Sequence, residues 1–226
     1  MFSKALTSSA ATVLALSSVV MAAPAPASGL SLTAQLQLAD TAVDKYQLLS
    51  KDSDFVFDFK TSLFPIATRK NFPALVGSGV SVSIATIDAC GIAALHIHPR
   101  SAEIFVVLSG HVYTEMVLEG GVVDANGKDR VIKTDLTANM TTIFPQGSLH
   151  AQVNTDCTPA LIVAAFTSED PGAALIMPET LALPDDFLSP TFGGAIADKD
   201  LKKIRDAIPR GPFFQIEACR KKCNLK

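Results

Sequence analysis

Apolar and polar residues alternate along most of the middle of this chain. From residue 77 to 88 the alternation runs through Val80, Val82, Ile84 and Thr86, and it returns over residues 93–98, 103–108 and 111–118. A period of two places successive side chains on opposite faces of a β-strand. Ser109-Gly110 turns the chain between two of these runs. Asn126-Gly127, between Val122-Val123 and Arg130-Val131-Ile132, is a strong hairpin signal. Residues 142–144, 150–154 and 160–166 add further strands, and Phe55, Phe57 and Phe59 predict another over 54–59. Nine or ten short strands separated by turns argue for an antiparallel sandwich or barrel. Helical spacing is confined to the flanks. Leu36, Ala39, Val43 and Tyr46 share a face over residues 30–49, with Ser31 as cap. Leu201, Ile204 and Ile208 do so over 198–208, where Pro209 ends the run. Pro178, Pro184, Pro190 and Gly193-Gly194 predict irregular structure between.

The strand pattern carries a chemical constellation. His96 and His98 stand two apart in an apolar strand, so both imidazoles leave the same face. Pro99-Arg100-Ser101 forms a turn, and Glu103 opens the next strand. His150 follows the turn Pro145-Gln146-Gly147 and opens another. Three imidazoles and one carboxylate aimed at one point suit a divalent transition metal and leave positions for a substrate. His111 falls outside this pattern and reads as a surface or satisfied histidine, and Asn154 as the tie of a turn.

The residues and spacings of these two halves resemble the two signature motifs of the cupin superfamily. Phe72-Pro73-Ala74-Leu75, Ile87-Asp88, the run 96–100 and the later run 166–172 look like its germin and spherulin branch. The resemblance covers most of the chain after Asp54, and Asn139 departs from it where the family usually has glycine. It implies an all-β, cupin-type antiparallel barrel or jelly roll with short N- and C-terminal helices, and His96, His98, Glu103 and His150 as metal ligands. It also implies manganese, although the donor set itself would hold iron, nickel, copper or zinc. Germin-like proteins include oxalate oxidases and proteins with superoxide dismutase activity. The expected function is therefore a manganese oxidoreductase acting on superoxide or a small organic acid. The alternatives are a non-catalytic wall, spore, stress or storage protein of spherulin type, and an isomerase, cyclase or other lyase. Germin oxalate oxidases carry an amide three residues before the first histidine. This chain has Ala93 there, which cannot hydrogen-bond a dicarboxylate. The resemblance further implies a homo-oligomer, trimer or hexamer, in which terminal helices clasp a neighbour; packing on the chain's own barrel is the alternative.

Targeting signals set the compartment. Lys4 and the apolar run 10–21, with small residues around Ala22, form a secretory signal. The run is shorter than the ~20 residues a membrane span needs, and no later segment qualifies. Removing residues 1–22 from the 226 leaves 204, and loss of Lys4 takes the net charge from −3 to −4. No basic stripe for nucleic acid remains. The expected organisation is a signal peptide at 1–22, an N-terminal extension with a helix at 23–53, the cupin barrel at 54–175 and a C-terminal helical extension at 176–226. The expected location is extracellular or cell-wall. In a secreted chain four cysteines predict two disulfides rather than a zinc site. If the two motifs converge on one metal, Cys90 and Cys157 should approach each other, leaving Cys219 and Cys223 to bridge across a helical turn. Free buried thiols are the alternative. Asn139-Met140-Thr141 is a glycosylation sequon, in a polar turn expected over 134–141.

Overall fold

The computed structural model describes residues 29–209 and 211–225, so the signal expected over 1–22 lies outside the described residues. Ser31 caps α1 (Leu32–Leu38) by accepting the Ala34 N–H at 3.2 Å. Thr41 and Asp44 then form a capping box that starts α2 (Ala42–Leu48). The single helix expected over 30–49 is thus two, because Thr41 and Asp44 begin a new helix where the first would have continued. The expected shared face is broken with it: Leu36 is buried, while Val43 and Tyr46 are exposed. The strand expected over 54–59 does not form. Asp54 accepts the Lys51 N–H and closes a short 3₁₀ turn over Asp52–Phe55. Phe57 packs on Phe59 and Phe72 instead of entering a ladder.

The strands follow in order: β1 (Ile66–Ala67), β2 (Ser81–Ile87), β3 (Gly91–Ile97), β4 (Glu103–Ser109), β5 (His111–Val117), β6 (Val131–Thr137), β7 (Thr141–Phe144), β8 (Leu149–Val153), β9 (Ala160–Phe166) and β10 (Ala174–Leu175). One sheet has the order β1-β2-β9-β4-β7 and the other β10-β3-β8-β5-β6. Every pairing is antiparallel. The sheets share a core in which Phe105, Val107, Ile162 and Phe144 of one meet Val112, Met116 and Leu136 of the other. Fully burying one such side chain contributes about 1.5–3 kcal/mol. The hairpin at Asn126-Gly127 is present, with Asp124 accepting the N–H groups of Asn126 and Lys128. The turn expected over 134–141 is shorter, because β6 runs to Thr137. Asn139 sits in it at φ +68°, a left-handed conformation that explains why glycine suits this position and asparagine replaces it.

The proline-rich stretch is more ordered than its composition suggests. It forms α3 (Ile176–Thr180) and α4 (Asp185–Thr191), followed by α5 (Asp198–Ala207). Pro178 occupies the first turn of α3 and Pro184 precedes α4, where no intrahelical N–H bond is lost. Leu181, Leu188 and Leu201 form a small second core in which α4 packs on α5, while α3 lies against β3 and β10 of the chain's own barrel. Among the described residues no helix is long and apolar enough to cross a membrane.

Beyond α5 the chain returns to the barrel. β11 (Phe213–Gln215) pairs with Gly91–Ala93 of β3, and α6 (Glu217–Lys222) docks beside it. The disulfides are Cys90–Cys219 and Cys157–Cys223, which corrects the expected pairing. Cys90 and Cys157 do approach one another, as the Cys90 N–H bond to Asp156 O at 3.0 Å shows. However, α6 brings a cysteine to each of them. A helix holds Cβ atoms four residues apart at ~5–6 Å, wider than the ~3.5–4.5 Å a disulfide needs, so Cys219 and Cys223 bond outward.

Candidate metal centre

His96 on β3 and His150 on β8 are direct cross-strand partners, with ring centroids 4.3 Å apart. His98 lies one residue beyond β3, and Glu103 opens β4 of the opposite sheet after the turn. The four expected ligands therefore meet between the sheets, one potential ligand atom from each lying within 4.8 Å of the others. Glu103 Oε2 is 3.0 Å from His98 Nε2 and 3.2 Å from His150 Nε2. His98, Glu103 and His150 are buried.

Each imidazole is oriented from behind by a backbone carbonyl. His96 Nδ1 is 2.6 Å from Ala94 O, His98 Nδ1 is 2.6 Å from Gly172 O, and His150 Nδ1 is 2.8 Å from Ser148 O. A carbonyl can only accept, so in the neutral rings Nδ1 carries the proton and Nε2 presents a lone pair. Around the Glu103 carboxylate, either a proton shared with an Nε2 or a cation must then lie between the converging groups. A cation resolves this arrangement, and the nitrogen and oxygen donor set fits a divalent transition metal. Ionisation points the same way. Burial, reinforced by His150, lowers His96 to about 4 and keeps it neutral. Burial pushes Glu103 up, but hydrogen bonds from His150 and His98 outweigh this and hold it at about 2.

Surrounding packing fixes the rings. Phe144 stacks on His150 at 4.2 Å and 9°, and Phe166 meets His98 edge-on at 4.8 Å. Gly172 has φ +68°, and a Cβ there would stand 2.8 Å from Arg100 Nη2 and 3.0 Å from Pro99 Cγ. Arg100 in turn donates to Asp170 O and Oδ1. The run 166–172 thus supplies the carbonyl that aims His98, a role that residue types alone do not disclose.

A cavity of about 230 Å³ adjoins the centre and is lined by His96, His98 and Glu103 together with residues of both sheets. A bulge in β3 lets Ala93 reach it. Ala93 pairs with Gln152 and His96 with His150, so three steps on β3 match two on β8. Ala93 therefore lines the same cavity as His96, despite an odd spacing. Gln152, two residues from His150 on β8, also lines it and is a site residue that attention to ligand types passes over; period two is the available signal. Pro212 and Phe213 close part of the wall from far along the chain, and no local signal announces them.

The remaining candidates lie elsewhere. His111 sits between Asp135 and Asp156, and the hydrogen bond to Asp135 raises its pKa. Asn154 is fully buried and donates to the carbonyls of Ile87, Asp88 and Thr158, tying a turn. Asn139 is exposed.

Comparison with known proteins places this geometry. The Cupin family model matches residues 46–198. Spherulin-1A of Physarum polycephalum is 35% identical over 215 residues, covering 89% of this chain and 82% of that protein. A probable germin-like protein of Arabidopsis thaliana, subfamily 2 member 5, is 31% identical over 174 residues, covering 73% and 77%. A solved oxalate oxidase superposes with a TM-score of 0.57 at 21% identity, covering 70% of this chain and 81% of that one, a likeness of fold.

Proposed function

This chain belongs to the cupin family, with spherulins and germin-like proteins as relatives, and on that premise we propose that it is a secreted, manganese-binding oxidoreductase acting on superoxide or a small organic acid. The observation that carries the reading is the set of three Nδ1–carbonyl contacts, with the Nε2 atoms of His98 and His150 standing 3.0 and 3.2 Å from Glu103. His96, His98, Glu103 and His150 would hold the metal, and manganese follows from the germin resemblance. Bound there, it would supply a one-electron couple beside open coordination positions. The chain's own part is to hold three neutral imidazoles and one carboxylate at fixed angles. Phe144 and Phe166 keep water from the back of the ligands.

Secretion is supported by the signal-like segment and by four cysteines that are all in disulfides. The exposed Asn139 suits a glycan. Exposed apolar side chains such as Leu63, Phe64 and Phe187 support assembly into a homo-oligomer, a trimer or hexamer. The similarity to Spherulin-1A favours a second reading, a non-catalytic wall, spore, stress or storage protein in which the metal is structural.

Elemental analysis of the secreted, chelator-free protein decides first. About one manganese per chain, lost in His150→Ala, together with turnover of superoxide or oxalate, is the expected result. Bound metal without turnover of either favours the spherulin-type reading, and no metal in either protein overturns the metal-centre reading itself.

A further inference from the structure

The two sheets present different outer faces. On β5 and β6 the core residues Val112, Met116 and Leu136 alternate with Tyr113, Glu115, Lys133 and Asp135, and Lys133 pairs with Glu115 at the surface. One wet face is the usual state of an antiparallel sheet. The β1-β2-β9-β4-β7 sheet lacks one. Ser83, Ala85, Phe105, Ile162 and Ala164 face inward onto the cavity. Alternation then turns Val82 and Ile84 of β2, Val163 and Ala165 of β9, and Ile104 and Val106 of β4 outward. On the edge strand Phe144 stacks inside on His150, which turns Thr141 and Ile143 of β7 outward. Among the described residues no charged or amide side chain belongs to these rows, and the Thr141 hydroxyl donates to Phe105 O at 3.0 Å. Ile104 is 45% exposed and Ile143 53%, so the described chain does not cover them.

A sheet that is aliphatic on both sides has the pattern of one buried on both. Strands stand ~4.8 Å apart and outward residues of one strand ~6.8 Å apart, so the four strands carry an aliphatic surface of roughly 20 by 20 Å. That is about 400 Å² in plan, the size of the largest apolar patches on monomers, and more when measured over the side chains. Specific interfaces begin at about 600 Å² per partner, so this face can form the dry centre of one. It suits a protein rather than a lipid surface. Faces that seat in a membrane surface bring lysine, arginine and aromatic rings, and these rows have none.

The strand register identifies the partner. One row across the sheet reads Val82, Ala165, Ile104, Ile143, and the next reads Ile84, Val163, Val106, Thr141. A two-fold axis along the strands, midway between β9 and β4, reverses each row onto itself. Ala165 then meets Ile104 of the partner subunit, and Val82 meets Ile143 of the partner subunit, a smaller side chain against a larger one both times. Ile84 meets the smaller Thr141 of the partner subunit, and Val163 meets Val106 of the partner subunit at the axis. Large against small is what interdigitating sheets require, and a self-complementary patch is what a two-fold contact requires.

We propose that this face is a two-fold interface between two copies of this chain, formed by β2, β9, β4 and β7 packing face to face, with Val163 and Val106 at its centre. It names one contact within the homo-oligomer reading above and needs neither metal nor turnover, so it can fail while the metal-centre reading stands.

The test is the mass of the secreted protein in solution, measured by light scattering at micromolar concentration. The wild type should contain an even number of chains. Val163→Glu buries an unpaired carboxylate from each copy in the dry contact. It should halve the number of chains and leave metal content and the circular dichroism spectrum as in wild type. Val131→Glu, at a 43% exposed position on the wet sheet, is the control and should leave the mass unchanged. Should Val163→Glu fail to fold, Ile143→Lys at the exposed edge tests the same face by the same halving. Single chains or an odd number of chains in the wild type overturns the proposal. So does an assembly that keeps its full mass in the folded variant, which would leave the homo-oligomer standing on another surface.

Discussion

His96 shows how one residue carries both the chemistry and a cost. An imidazole in the unfolded chain takes up its proton near 6.5, whereas His96 in the folded chain does so only near 4. Between those values the unfolded state binds the extra proton, so acid favours unfolding. The metal-free protein should therefore lose stability steadily as pH falls from about 6.5 to about 4; melting curves at pH 7, 5.5 and 4 check this, and a flat profile would contradict it. Gly172 offers a second residue-level prediction. Alanine at φ +68° costs about 1–2 kcal/mol, and crowding against Pro99 displaces the carbonyl that aims His98. Displacing such a partner weakens metal binding about 10–100-fold. Gly147→Ala is the control, since φ there is +77° but a Cβ meets nothing within 4 Å; it should cost stability and spare the metal, as competition against a chelating dye will read. The convergence itself is legible from sequence, because His96, Glu103 and His150 lie on strands and His98, one residue past β3, keeps the strand period. The carbonyls behind them are not, because every residue has one.

At the scale of elements, β2 to β5 and β7 to β9 are legible to within a few residues, since each alternates and ends in a turn, whereas β6 runs on through part of the expected turn to Thr137 and the short β1, β10 and β11 are not anticipated. The departures have local causes. A capping box splits the first helix, an aspartate closes a 3₁₀ turn where phenylalanines alternate, and Pro178 in a first turn and Pro184 at a helix start permit helices that composition argues against. The disulfide pairing is hidden from the sequence because α6 docks where no local pattern points. That docking has consequences for the cavity. The two disulfides close loops of 129 and 66 residues, and chain entropy assigns each on the order of 4–5 kcal/mol. β11 has only three residues of ladder, too few to hold without them. Replacing Cys219 and Cys223 by serine should lower hydrogen-exchange protection across Phe213–Gln215 and loosen the wall at Phe213 while metal content stays near wild type. Unchanged protection would show that the ladder suffices.

For the whole molecule, the strand order β10-β3-β8-β5-β6 joins segments that no periodicity connects; the family resemblance, not the alternation, leads to it. The centre ties the two sheets together, since β3 and β8 carry histidines and β4 carries Glu103. Metal binding should then stabilise the entire fold. At free metal a hundred times the dissociation constant, linkage gives about 2.7 kcal/mol, or roughly 5–10 °C in melting temperature for a chain of this size. Calorimetry with and without chelator reads it, and identical curves would place the centre outside the cooperative fold. The paired disulfides also decide the fate of a molecule whose backbone is cut. Gly193-Gly194 is an exposed link between α4 and α5, the kind of segment that proteases nick. A chain cut there runs as one species until reductant is added and as two fragments afterwards, because the distal piece stays bonded to Cys90 and Cys157. A digest that looks complete on a reducing gel can therefore still contain molecules whose binding site is intact.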